Sequence, residues 1–162
     1  MVKRLLNYNF FITSLIIFFV DFWSKYFLLN SFDLESKGRV FIAPFIDFVL
    51  VYNPGISFGI FSNGDELQRV ILIILSILII LYLIYWIRIS NSKFMSFGFS
   101  LIIGGALGNM VDRILYGKVV DFISLHVFDY YWYVFNIADI AIVTGGLSVL
   151  MYSAKDSFKT SK

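Results

Sequence analysis

Four stretches of the chain carry almost no charge: residues 5–29, 70–87, 94–111 and 136–154, the first of them interrupted by Asp21 and Lys25. About 20 apolar residues, rising about 1.5 Å each as a helix, cross a hydrocarbon core about 30 Å thick. The runs predict membrane spans at about 8–29, 68–88, 94–115 and 136–154, within one domain occupying residues 1–162. Lys3 and Arg4 before the first run imitate the start of a signal peptide, but no small-x-small cleavage site follows, so the run reads as a retained span.

Between the first two spans the pattern changes. The stretch VFIAPFIDFVLVYNPGISFGIF is rich in β-branched and aromatic residues and is broken by Asn53-Pro54-Gly55, a strong turn signal. The predicted fold is an all-α membrane protein of four transmembrane helices, with a small extracytoplasmic β-sheet or cradle at about residues 38–61, between helices 1 and 2. An ordinary extracytoplasmic hairpin is the plainer alternative.

Basic residues orient the spans. Lys3, Arg4, Arg88, Lys93, Lys155, Lys159 and Lys162 flank one side, which predicts cytoplasmic termini. Segments 30–69 and 116–135, which hold most of the acids, then lie outside. Composition agrees with this layout, at 59% hydrophobic and 15% charged residues. A net charge of +2, scattered along the chain, offers no basic stripe for nucleic acid. With no cysteine and a single histidine, His126, thiol chemistry and ordinary zinc ligation are out of reach. Carboxylates, lysine and hydroxyls remain.

Counting from the basic flanks, Asp21, Asp112 and Asp139 lie roughly 24–28 Å along their helices, near the outer boundary. Helices of alternating direction thus bring acids to one depth, together with Lys25, Asn109, Arg113 and Asn136. Charges in spans usually face a bundle interior or a wet cavity and mark function. Asp21 and Lys25 can form an i,i+4 ion pair. In GGALGNMVDR, Gly104 and Gly108 form a small-xxx-small pattern suited to close packing, and Asp112 beside Arg113 suggests a supporting charge network. Asp121 and Asp139 have no basic neighbour in sequence. Two carboxylates meeting in a low-dielectric pocket share a proton, one serving as base for water and the other as acid for a leaving group. Asp139 has an alternative use as a cap of the fourth helix.

Five blocks in order resemble the bacterial lipoprotein signal peptidases, the signal peptidase II family of membrane aspartyl peptidases: DFWSK (21–25), NPGISFG (53–59), GGALGNMVDR (104–113), VVDF (119–122) and FNIAD (135–139). The resemblance covers nearly the whole chain and implies that Asp121 and Asp139 are catalytic. It implies that Asn53, Gly55, Gly59, Asn109, Arg113 and Asn136 bind substrate or shape the site, with Asp21, Lys25 and Asp112 as polar support. The chain departs from the family pattern at Phe22-Trp23 and at Ser57, where alanine is usual.

The implied reaction removes the signal peptide from diacylglyceryl-modified prolipoproteins, cleaving before the lipidated cysteine, in the bacterial cytoplasmic (inner) membrane with the site near the outer leaflet. No metal or other cofactor is expected. The expected partners are the prolipoproteins and membrane lipid, not nucleic acid, and the expected state is a monomer. Two rival readings stay open at this point. One is a serine/lysine peptidase built from Ser24 or Ser57 with Lys25; the other is a small transporter or proton-conducting protein with buried carboxylates.

Overall fold

A computed structural model describes residues 2–55 and 65–160. Four helices are long and apolar enough to cross a membrane, and they lie in α1 (Val2–Asn30), α3 (Glu66–Ile89), α4 (Lys93–Tyr116) and α5 (Ile137–Thr160). A one-turn helix, α2 (Leu34–Lys37), follows α1. Mean hydropathy peaks at 3.0 in α3, whereas the windows in α1, α4 and α5 reach 1.6 because they carry the polar residues of the site.

The central helix is α4. In its apolar window 61% of residues are buried, against 17–22% in the other three. Glycines let its neighbours approach: Gly104 faces α1, Gly105 faces α5 at Ala138 and Ile142, and Gly108 meets both Asp21 and Ala138. A Cβ added to Gly104 would lie 2.6 Å from the Ser14 carbonyl oxygen. On the far side of α4, Ile80, Leu83 and Ile87 of α3 pack on Phe99 and Ile103.

Because the Gly105 neighbour is helix backbone, which cannot rotate aside, Gly105→Ala must push α5 away from α4. We expect a loss of about 1–3 kcal/mol, the usual overpacking cost, read as a lower thermal midpoint in detergent.

The sheet differs from the sequence expectation in its membership. Strands β1 (Val40–Ala43) and β2 (Ile46–Asn53) come from the segment between α1 and α3, but β3 (Val119–Val127) and β4 (Tyr130–Tyr131) come from the segment between α4 and α5. The order is β1-β2-β3-β4, with antiparallel neighbours. The hairpin turn falls at Pro44–Phe45, not at Asn53-Pro54-Gly55, which instead ends β2. Whatever follows within residues 56–64, Ser57 and Gly59 included, lies outside the described residues.

Sequence chemistry also sets the launch point of β3. Gly117, with φ 74°, closes α4 in the left-handed conformation that glycine adopts cheaply. Two residues later the chain is extended, and Val119, Val120 and Phe122 are buried. Asp121 therefore stands one short turn beyond the end of α4. The base of the β3–β4 hairpin is clamped by Arg39: its guanidinium donates to Asp47 (3.0 Å) and Ser124 (3.2 Å) and lies 4.6 Å from the Tyr131 ring, which stacks on His126.

Candidate active site

The start of α5 is a reciprocal cap. Asn136 Oδ1 accepts from the Asp139 N–H (2.9 Å), and Asp139 Oδ2 accepts from the Asn136 N–H (3.2 Å). This is the capping-box geometry with Asn and Asp in place of the usual pair. A third orphan donor of the same helix end, the Ala138 N–H, is taken by Asp21 Oδ1 of α1 at 2.9 Å. Capping Asp139 and placing it in a site are therefore the same act.

Asp121 reaches this point from β3. Asn136 Nδ2 donates to its Oδ1 at 2.6 Å, and Asn53 Nδ2 donates to its Oδ2 at 3.1 Å. Each of three asparagines has its carbonyl oxygen occupied, so each presents its NH2 to a carboxylate. Asn53 Oδ1 accepts from the Gly55 N–H (3.0 Å), an Asx turn that Asn-Pro-Gly encodes locally. Asn136 Oδ1 is held by the α5 cap. Asn109 Oδ1 accepts from Asn136 Nδ2 (3.1 Å) and Lys25 Nζ (3.4 Å), leaving Asn109 Nδ2 to donate to Asp139 Oδ1 at 2.8 Å.

Below this lies a buried charge cluster. Lys25 Nζ is 2.6 Å from Asp21 and 2.7 Å from Asp112, all at or below 4% side-chain exposure. Asp112 does not pair with its neighbour Arg113: its other task is to accept from the Val120 N–H at 3.0 Å, tying β3 to α4. Arg113 donates to the carbonyls of Gly55 (2.8 Å) and Asn109 (3.1 Å), while its buried Nε has no partner among the described residues.

The carboxyls of Asp121 and Asp139 open into a cavity of about 780 Å³, walled largely by apolar groups including Val51, Leu125, Trp132, Phe135, Ile140 and Val143. A second cavity, of about 260 Å³, lies beside Asp139 between α3, α4 and α5 and is lined by Arg113, Asn109 and Gly55 among aliphatic side chains. Burial, and then the nearby Asp139 charge, push the Asp121 carboxyl up to about 7. Among the described residues, no group of three or more His, Asp or Glu could hold a metal ion.

The structure thus brings together Asp121, Asp139, Asn53, Gly55, Asn109, Arg113, Asn136, Asp21, Lys25 and Asp112; Gly59 lies outside the described residues. The cavity wall at 132–135 was not singled out from sequence. Its signal was the aromatic run FDYYWYVF immediately before Asn136.

Residues 13–155 match the family described as Signal peptidase (SPase) II. The chain belongs to the signal peptidase II family. It is a peptidase, and with its four apolar helices an integral membrane one. A lipoprotein signal peptidase of Rhodopseudomonas palustris is 43% identical over 139 residues, covering 83% of this chain and 84% of that one. Another, of Wigglesworthia glossinidia brevipalpis, is 37% identical, covering 86% and 89%. Two solved bacterial membrane enzyme structures, at 2.3 and 1.9 Å resolution, superpose with TM-scores of 0.81 and 0.74 at 28% identity. They match 92% and 91% of this peptidase over 89% and 94% of their own lengths.

The rival readings lose their footing. Lys25 is engaged by two carboxylates, and Ser24 Oγ donates to the Asp21 carbonyl on its own helix at 2.7 Å. Membership of a peptidase family removes the transporter.

Proposed function

We propose that the protein is an aspartic endopeptidase of the bacterial cytoplasmic membrane that removes the signal peptide from diacylglyceryl-modified prolipoproteins, cleaving before the lipidated cysteine. The observation that carries this reading is one apolar cavity holding two carboxylates, Asp121 and Asp139, both bonded to Asn136. An apolar wall suits acyl chains, and a proton-sharing acid pair suits peptide hydrolysis without a bound activator.

In this mechanism Asp139, with both oxygens facing N–H donors at the positive end of α5, takes a proton from water as the water attacks the scissile carbonyl. Asp121 gives its proton to the departing amine. Asn53 and Asn136 hold Asp121 in register, and Arg113 Nε, without a partner among the described residues, offers a donor for a peptide carbonyl. Asn109 transmits the position of the Lys25 cluster to Asp139. The monomer, with Asp21, Lys25 and Asp112 as scaffold, suffices for these steps.

The test is a gel-shift cleavage assay of purified lipid-modified prolipoprotein with this protein in detergent. Absence of a shift beside an active control would sink the reading. Its pH dependence follows from Asp121. With that carboxyl titrating at about 7, the acid form is lost above it, so kcat/KM falls about tenfold per pH unit on the alkaline side. Stability follows the same group: its folded value lies above the ordinary 3.8, so the folded state keeps a proton that the unfolded chain releases. Folding stability therefore falls as pH rises from about 4 to about 7 and levels off above. Cleavage still rising at pH 9 would remove Asp121 from the role of acid.

The orientation half of the proposal puts both termini in the cytoplasm and the dyad near the outer leaflet. A cysteine introduced at Ser90 or Ser157 should resist an impermeant thiol reagent in intact cells, and one at the exposed Ser36 should react. The reverse pattern would place the carboxylates in the wrong leaflet.

A further inference from the structure

The β3–β4 hairpin ends in a two-residue turn, Phe128–Asp129, between the paired residues Val127 and Tyr130. Phe128 sits there at φ 53°, a left-handed conformation that hairpins ordinarily assign to Gly, Asn or Asp and that costs a bulky residue. Turn chemistry does not explain an aromatic ring at that place. Its exposure adds to the puzzle: Phe128 is 87% exposed and Tyr130 84%, and Trp132, two residues on, is 65%.

Strand alternation separates these rings from Tyr131. Tyr131 turns to the other face, where it stacks on His126 with centroids 5.2 Å apart and lies beneath Arg39. Tyr130 and Trp132 alternate onto the opposite face, and Phe128 stands in the turn two residues before Tyr130. The clamp at Arg39 fixes the base of the hairpin, so these rings are carried on a braced arm.

The rings also adjoin an exposed apolar surface. On α5, Ile140, Val143, Leu147 and Leu150 are 45–66% exposed at spacings of three, four and three, an apolar stripe along a membrane-spanning helix. Ile140 and Val143 at the top of that stripe wall the 780 Å³ cavity together with Trp132. The cavity is therefore bounded by the lipid-facing side of α5 on one hand and the aromatic arm on the other.

We propose that Phe128, Tyr130 and Trp132 form a membrane anchor that rests in the headgroup–acyl boundary of the leaflet covering the site end of the bundle, making the arm the lipid-side rim of the cavity. Tyr and Trp, each with an apolar body and one polar edge, are the residues that favour that boundary, with Phe as the deeper ring. The tip carries no lysine or arginine, and Asp129 is its acid. The partner is therefore the interface of ordinary zwitterionic lipid rather than an anionic headgroup. The rim role rests on the proposed function, because it is a lipidated substrate that must pass there. The anchor itself does not.

The chain has no cysteine, so single-cysteine variants can carry a nitroxide cleanly. Phe128→Cys and Tyr130→Cys, labelled and reconstituted in phosphatidylcholine vesicles, are compared with Leu78→Cys as a lipid-facing reference and Ser157→Cys as a water reference. The expected result is collision with oxygen exceeding collision with a water-soluble nickel chelate at both tip positions, as at Leu78. Adding anionic lipid should not change it. A nickel-dominated signal, as at Ser157, would overturn the anchor; so would dipolar broadening between labels, which would mean that a second copy covers the tip. In vesicles the Phe128→Ser/Tyr130→Ser double variant should raise KM for lipidated substrate about tenfold at unchanged kcat, and Tyr130→Trp should keep the native KM. Lipid-buried labels on a protein that cleaves nothing would retire the proposed function and leave the anchor standing. Water-exposed labels on an active peptidase would retire the anchor alone.

Discussion

Asp121→Asn and Asp139→Asn should each reduce prolipoprotein cleavage by roughly a thousandfold or more, since each removes one half of a proton exchange whose general acid and base are worth about 10²–10⁴-fold apiece. An amide can neither take the proton of water nor deliver one to the leaving amine. The structure adds a difference between the two variants. Asp139 meets a donor at each oxygen, so an asparagine there must turn its NH2 toward either Asn109 Nδ2 or the Asn136 N–H. That mismatch leaves a buried donor unpaired, at roughly 1–3 kcal/mol, so Asp139→Asn should also lower the thermal midpoint. Asp121→Asn should abolish the decline of stability between about pH 4 and pH 7, because the group responsible for it is gone. The measurements are turnover at matched folded concentration and melting curves across pH. More than about a tenth of wild-type turnover in either variant is incompatible with general acid–base catalysis by the pair.

Lys25→Met should be the most destabilising single change in the helical bundle. It leaves both Asp21 and Asp112 buried without a cation, and removing one partner of a buried ionic group costs about 3–5 kcal/mol. Neutralising Asp21 alone in that background relieves only half of the problem, since Asp112 lies just as close to the ammonium. The triple variant Asp21→Asn/Lys25→Met/Asp112→Asn should recover most of the stability. Asparagine can still accept from the Ala138 and Val120 N–H groups through its remaining carbonyl oxygen, so the two structural hydrogen bonds survive. Activity should return with it in part, because Lys25 touches the dyad only through Asn109. Thermal midpoints and turnover of the single, double and triple variants decide this. If Lys25→Met folds normally yet is as inactive as Asp139→Asn, and no neutralisation restores turnover, then Lys25 takes part in the chemistry and the scaffold role is wrong.

Much of this was legible in the linear pattern, and the reason is the bilayer. A medium that tolerates no unpaired charge makes Asp21, Lys25, Asp112 and Asp139 conspicuous within apolar runs. The fixed helix rise converts their distance from basic flanks into a common depth. The Asn-Pro-Gly at 53–55 was also visible as a turn signal, and the fold has an Asx turn there. What the linear pattern did not carry is the use of that turn: it stops β2 and bends the Asn53 side chain onto the Gly55 N–H, which aims the amide at Asp121.

What the chain determined by itself was local and periodic: four spans, the Asp21–Lys25 pair one helical turn apart, the Gly117 stop, and the Asn136–Asp139 cap, each set by residues within a few positions of one another. Only the tertiary structure decided that Lys25 is shared with Asp112, that Asp21 caps a helix 117 positions away, and that the sheet takes half its strands from beyond α4. It alone set the asparagine amides with their NH2 groups toward the carboxylates. Periodicity reports which face of an element is buried. It carries no information about which distant donor will meet which acceptor, because that depends on how closely glycines let the helices approach and on where the β2–β3 register brings Asp121 beneath Asn53 and Asn136.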